Sequence, residues 1–157
     1  MVLALTVAAS PEEAMTVATG LIDAAEATHN PCVLSFALFA YGFAFRDADP
    51  GAALAAVRRG LIVAQDSGNR GIESFLVDGL ARLEAKYGDP LAALDYLSLA
   101  IRNYHDPGNV TLVHSPLAVL AALFHRLGHH EAAATIAGFA FNPLDRRVVS
   151  RDHHSDH

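Results

Sequence analysis

The sequence predicts an all-α protein, a right-handed stack of antiparallel helical hairpins with about seven helices, and three observations carry that prediction. A helix-start signal returns every 39–40 residues along the 157-residue chain. Apolar positions keep one register from copy to copy. Alanine, the best helix former, is abundant, while hydrophobic residues make up 52% and charged residues 18%, the balance of a packed core and not of a disordered chain.

The elements follow in order. Ser10-Pro11-Glu12-Glu13 opens a helix over 11–27: Ser accepts a free backbone N–H, Pro is tolerated at the first helical position, and Ser10 with Glu13 has capping-box spacing. Asn30-Pro31 opens the next over 31–46. Asp49-Pro50-Gly51-Ala52-Ala53-Leu54 starts a third over 50–66, and the same pattern returns forty positions later as Asp89-Pro90-Leu91-Ala92-Ala93-Leu94, starting 90–104. Between them Asn69 caps 70–87. Asn109, forty positions on, caps 110–127, in which Pro116 either kinks the helix or lets Ser115 start a fresh one. The last start, His129-His130-Glu131-Ala132-Ala133-Ala134, opens 130–141 without the Asp-Pro pair and is the weakest. Val110 to Val113 is the one short strand candidate.

The large apolar residues agree with this frame. Leu54, Val57, Leu61 and Ala64 match Leu94, Leu97, Ile101 and Tyr104, and also Met15, Ala18, Ile22 and Ala25. Ile72, Phe75, Leu76, Gly79, Leu80, Leu83 and Tyr87 follow the spacing of one helix face, with Asp78, Arg82 and Lys86 off it. Small residues recur at 53/93/133, at 60/100/140 and at 42/81/121, where neighbouring helices are expected to approach closely.

Residues 1–9 are apolar but lack the basic start of a signal peptide and are too short to span a membrane, so they read as the end of a preceding helix. The repeat domain is placed at 1–144. Residues 145–157 hold three Arg, three Asp and three His without an apolar stripe, and read as a disordered tail. No polar capping helix closes the stack, so the last helix is expected to bare an apolar flank, as in a fragment of a longer protein.

The stretch Leu80-Ala81-Arg82-Leu83-Glu84-Ala85-Lys86-Tyr87-Gly88-Asp89, followed by Ala92, Ala93, Leu94, Ala100 and Ile101, resembles a tetratricopeptide repeat, with a period of 39–40 in place of 34. The run from Gly51 to Pro143, with Gly128-His129-His130-Glu131-Ala132-Ala133-Ala134-Thr135-Ile136-Ala137-Gly138 and Asn142-Pro143-Leu144, is similar to the C-terminal helical region of large actinobacterial regulators that join such helices to a cyclase or ATPase module or a LuxR-type helix-turn-helix. That resemblance implies a sensor or scaffold part in signalling or transcription regulation. The chain carries no phosphate loop, no cyclase aspartate pair and no reading head, so those activities do not carry over.

Charge and chemistry narrow the function further. The net charge of −6 with scattered Lys and Arg argues against direct binding of nucleic acid or an anionic membrane. Cys32 reads as a small buried hydrophobe, and a reducing cytoplasm fits a single cysteine. Nine histidines are many for this length. His125 and His129 are four apart, but Gly128 separates them and no Glu completes a zinc motif; with His130 they read as solvated turn residues. His153, His154 and His157 read as an adventitious metal grip at most. Glu12 and Glu13 suit the positive end of a helix dipole. His29 and Cys32 stand close in sequence, but nothing marks the thiol as activated, and neither a nucleophile elbow nor a catalytic triad is evident.

Phe36 and Phe39 are assigned to the core. Tyr41, Phe43 and Phe45 cannot all face one way on a helix, so some must meet a neighbouring layer or a groove. With Tyr104 they are the candidate contacts for a partner or ligand. The expected function is a non-catalytic interaction or scaffold module, without catalytic residues, cofactor or metal, binding a protein partner or itself. The alternative is a small-molecule sensor with its groove lined by the first helices of the hairpins, and a metal enzyme built on the histidines comes last.

Overall fold

The computed structural model describes residues 10–106, 108 and 110–141, except the side chains of 110 and 111. The expected helix end at 1–9, the Asn109 cap, the Asn142-Pro143-Leu144 stretch and the tail at 145–157 lie outside the described residues.

Among the described residues the chain is all-helical, with no strand. The helices are α1 (Pro11–Ala27), α2 (Pro31–Phe45), α3 (Pro50–Asp66), α4 (Arg70–Tyr87), α5 (Pro90–His105), α6 (Val110–Arg126) and α7 (His130–Ala140). Each boundary falls within one residue of the expected one. Val110 to Val113, the strand candidate, forms the first turn of α6.

The start signals act as the sequence implied. Ser10 Oγ accepts from the Glu13 N–H at 3.3 Å, and Asn30 Oδ1 from the Cys32 N–H at 2.9 Å. Asp49 Oδ1 accepts from the Ala52 N–H at 2.9 Å, Asn69 Oδ1 from the Ile72 N–H at 3.4 Å and Asp89 Oδ1 from the Leu91 N–H at 3.0 Å. His129, the weakest signal, makes no side-chain cap bond. The turns repeat as well: His29, Gly68 and Gly108 all have positive φ, at 54°, 69° and 82°, one in each turn within a hairpin. Glycine adopts this left-handed backbone freely, whereas histidine does so at a cost.

Burial recurs with the same period. Ala14, Ala53, Ala93 and Ala133 are all buried, as are Ala18, Val57 and Leu97, and Ala25, Ala64 and Tyr104. The largest apolar cluster joins Ala53, Val57, Leu61 and Ala64 of α3 to Ile72, Leu76, Val77 and Leu80 of α4. A second joins Ala81 and Ala85 of α4 to Ala93 and Leu97 of α5 and Val119 and Leu123 of α6. Each helix packs on its neighbours in sequence, and α4 also packs on both α2 and α6. Gly42 explains how α2 lies so close to α3: a methyl group there would collide with Val57 Cγ2 and stand 3.2 Å from the Ala53 carbonyl oxygen.

Several side chains depart from expectation. Cys32 is exposed, because the first turn of α2, Pro31 to Val33, stands clear of the neighbouring helices. Phe36 is 49% exposed, one turn further along, and meets the Phe39 ring at a tilt of 49° with 6.4 Å between centroids. Phe75 and Tyr87 also lie at the edge of the α4 face. Pro116 neither ends nor restarts its helix: α6 runs through it, Pro116 is fully buried, and the Ser115 hydroxyl donates to Asp78 and does not cap. Phe139 and Phe141, at the end of α7, are 57% and 68% exposed.

Candidate functional site

The second helices of the hairpins, α2, α4 and α6, lie side by side, while the first helices stand further apart and meet through long side chains, as Arg59 of α3 meets Glu26 of α1. A groove of about 520 Å³ opens along the second helices near their C-terminal ends. Small residues shape its walls: Gly42 of α2 admits Val57 and Gly79 of α4 admits Phe39, while Ala118 and Ala122 of α6 carry only methyl groups into the lining. The apolar floor is completed by Phe39 and Phe43 of α2, Val57 of α3, Leu83 of α4, and Val119 and Leu123 of α6. This groove lies on the second helices, whereas the sequence places the expected one on the first helices. The physical reason is packing order: of the two kinds of helix, the second ones pack directly on their own kind from hairpin to hairpin, so they share a continuous face.

The rim carries charge. Arg46 caps α2, Lys86 lies in the last turn of α4, and Arg126 ends α6, and the three are spaced forty residues apart. Each is favoured there because a cation complements the negative end of the helix dipole. Arg46 Nη1 donates to the Phe43 carbonyl at 2.5 Å, and its guanidinium carbon lies 4.2 Å from the Phe43 ring centroid. Arg126 Nη1 donates to the Lys86 carbonyl at 3.2 Å. Asp47 gathers this same end: it accepts from Lys86 Nζ at 2.8 Å, from the Tyr87 hydroxyl at 2.5 Å and from Arg46 Nε at 3.3 Å. Hydrogen bonds from Lys86 and then Tyr87 hold the Asp47 carboxyl below its ordinary range, and Asp47 in turn raises the Lys86 ammonium. Arg82, nearer the middle of the groove, is tied to Asp78 at 3.0 Å and to the Ser115 hydroxyl at 2.5 Å.

Of the four expected contact residues, the structure brings one to this groove. Phe43 lines it. Tyr41 and Phe45 turn to the other side of α2, stacked with centroids 4.2 Å apart and packed beside Val17 and Leu21 of α1. Tyr104 is buried; its hydroxyl reaches the Ser74 carbonyl at 3.4 Å, and burial pushes its pKa up. It stands at the edge of a second depression of about 500 Å³ with Arg70, Ser74, Phe75, Arg102 and Leu112.

Sequence reasoning missed Arg46, Asp47, Lys86 and Arg126. Lys and Arg look scattered when read linearly, yet three of these four repeat at a spacing of forty, the period already found for the helix starts.

The histidines are exposed at the α6–α7 turn. The Nδ1 atoms of His125 and His130 stand 3.2 Å apart, and His129 packs edge-on to Phe124. Among the described residues no group of three or more His, Cys, Asp and Glu could hold a metal ion, and no helix is long and apolar enough to cross a membrane. The groove lining includes no Ser, Thr, Cys or His, so its chemistry is that of an apolar floor and fixed charges. Comparison of the chain with protein-family models, curated proteins and solved structures finds no match.

Proposed function

We propose that this chain is a non-catalytic helical-repeat module that binds through the groove formed by α2, α4 and α6. The architecture belongs to the same proposal: a right-handed, tetratricopeptide-like stack of hairpins, supported by caps, left-handed turn residues and buried alanines that all recur with one period. Its setting, by resemblance to the helical regions of actinobacterial regulators, is cytoplasmic signalling or transcription regulation.

The observation that carries the binding reading is the groove itself. It combines an open apolar floor, bordered on α6 by Ala118 and Ala122, with fixed charges at one end and no Ser, Thr, Cys or His in its lining. A partner that lays an apolar side chain into the floor gains burial without rearranging the helices. Placing a photo-crosslinking residue at Ala122, in the groove, and at Asp95, exposed on α5, tests this. Adducts with a partner or ligand are expected from position 122 alone; equal labelling at both positions, or none at 122, overturns it.

A second reading is favoured by size. About 520 Å³ falls within the range of about 300–1,000 Å³ that small-molecule sites occupy, so the module would act as a sensor of a small ligand.

A further inference from the structure

We infer that the groove takes an anionic amphiphile, a small organic acid with one carboxylate-like head and a medium-length apolar body, an assignment that rests on the small-ligand reading above. The groove is polarised along its length. Phe43, Leu83 and Leu123 give an apolar floor, and one turn further along each helix stand Arg46, Lys86 and Arg126. The chain carries a net charge of −6 and only 11 Lys and Arg, yet three of those cations converge on one end of one apolar groove.

Against them the groove sets one carboxylate, Asp47, which already shows how this end receives such a group. It accepts from Lys86 Nζ at 2.8 Å and from Arg46 Nε at 3.3 Å. Arg126 has no carboxylate within ion-pair distance among the described residues. Part of the positive charge offsets the C-terminal dipoles of three helices, each about half a charge, so the remaining pull on an anion is modest. It acts together with burial of the apolar body, and a neutral or cationic analogue would lose it. The floor and the head-binding end are one helical turn apart, which suits a compact ligand with a single head. An acidic peptide would need several anchor points.

The test is calorimetric titration of the full chain with decanoate, decanol and decyltrimethylammonium, each below its micellar concentration. Decanoate is expected to bind once per chain and about tenfold or more tighter than decanol, a margin typical of one charge-assisted contact. Lys86→Glu and Arg126→Glu are expected to erase that margin, and Lys86→Arg to keep it. Ala122→Phe, filling the floor, is expected to abolish binding of both chains; its fold is checked by thermal melt, and the exposed rim variants carry the test if it does not fold. Equal binding of decanoate and decanol, lost in Ala122→Phe, would overturn the anionic assignment and leave the groove as a binding site. No saturable binding by any of the three, with an acidic amphipathic peptide binding in their place, would overturn the small-ligand assignment and return the groove to a macromolecular partner. Binding that ignores both the rim and the floor variants would sink the groove itself.

Discussion

Arg58→Ala removes a half-exposed side chain from α3, and at most surface positions such a change costs little. Here its partner makes the difference. Glu84, on α4, is 1% exposed, and its two oxygens have separate duties: Oε1 accepts from Arg58 and Oε2 from the Asp89 N–H at 3.0 Å. Removing Arg58 leaves a buried carboxylate with one neutral donor. Breaking a buried pair from the side that strands a charge costs about 3–5 kcal/mol, and the surviving Asp89 bond places this case near the lower end, about 3 kcal/mol. Glu84→Ala strands nothing charged, since Arg58 can return to water; it forfeits the bond to the Asp89 N–H, about 2 kcal/mol. Replacing both by Met should cost less than Arg58→Ala alone. For a chain of 157 residues the Arg58→Ala loss corresponds to a fall in Tm of about 9 °C. Thermal and urea melts followed by circular dichroism measure all three. If Arg58→Ala costs under about 0.5 kcal/mol, the pair is an ordinary surface ion pair and the reasoning fails.

Gly42→Ala would press a methyl group into Val57 and is expected to cost about 1–3 kcal/mol by urea titration, with part of the loss recovered when Val57 is also shortened to Ala; an unchanged midpoint would mean that α2 and α3 spread freely. His29→Gly should stabilise by about 0.5–1 kcal/mol, because His29 holds φ at 54° where the equivalent turns carry Gly68 and Gly108; a lower Tm would refute this. Asp47 titrates below its ordinary value of 3.8 in the fold, so its contribution is complete above that pH and is lost as pH falls through the lowered value; acid titration of Asp47→Asn against the parent should show a stability gap that closes only in that acid range, and a gap persisting below it would refute the linkage.

Much of the fold was legible because its signals are local. Asp49 and Asp89 cap the helices they precede through their own side chains, and no tertiary knowledge is needed to see it. The register of Ala18, Val57 and Leu97 was equally readable, since a helix that packs on one side writes that side into its sequence at a period of 3.6. α2 is where this fails. It packs on α1, α3 and α4 and borders the groove, so it is apolar nearly all round and offers no stripe to read. Phe36, Phe39, Tyr41, Phe43 and Phe45 were therefore sorted only in part: Phe43 to the groove, Tyr41 and Phe45 to α1, and Phe36 to solvent. Glu84 escaped notice for a related reason. It lies between the buried Leu83 and Ala85, where a carboxylate is not expected, and Arg58 from α3 together with the Asp89 N–H makes its burial tolerable.

The groove was hidden by a habit of counting. Eleven cations in a chain of net charge −6 look diffuse, and linear inspection finds only the doublets Arg58-Arg59 and Arg146-Arg147. A repeat changes what counts as a cluster: residues one period apart become neighbours in space, so Arg46, Lys86 and Arg126 form a patch that no window of ten or twenty residues contains. Each has a local justification as the cation at a helix C-terminus, which a single helix would repeat anywhere on its surface without consequence. Setting three such helices side by side turns three unremarkable caps into one charged end, and Phe43, Leu83 and Leu123 put an apolar floor beside it. Charge at the end of every second helix and a large apolar residue one turn before it (Phe43, Leu83 and Leu123) both recur at forty, and it is their coincidence across α2, α4 and α6, more than any one residue, that makes this face differ from the rest of the surface.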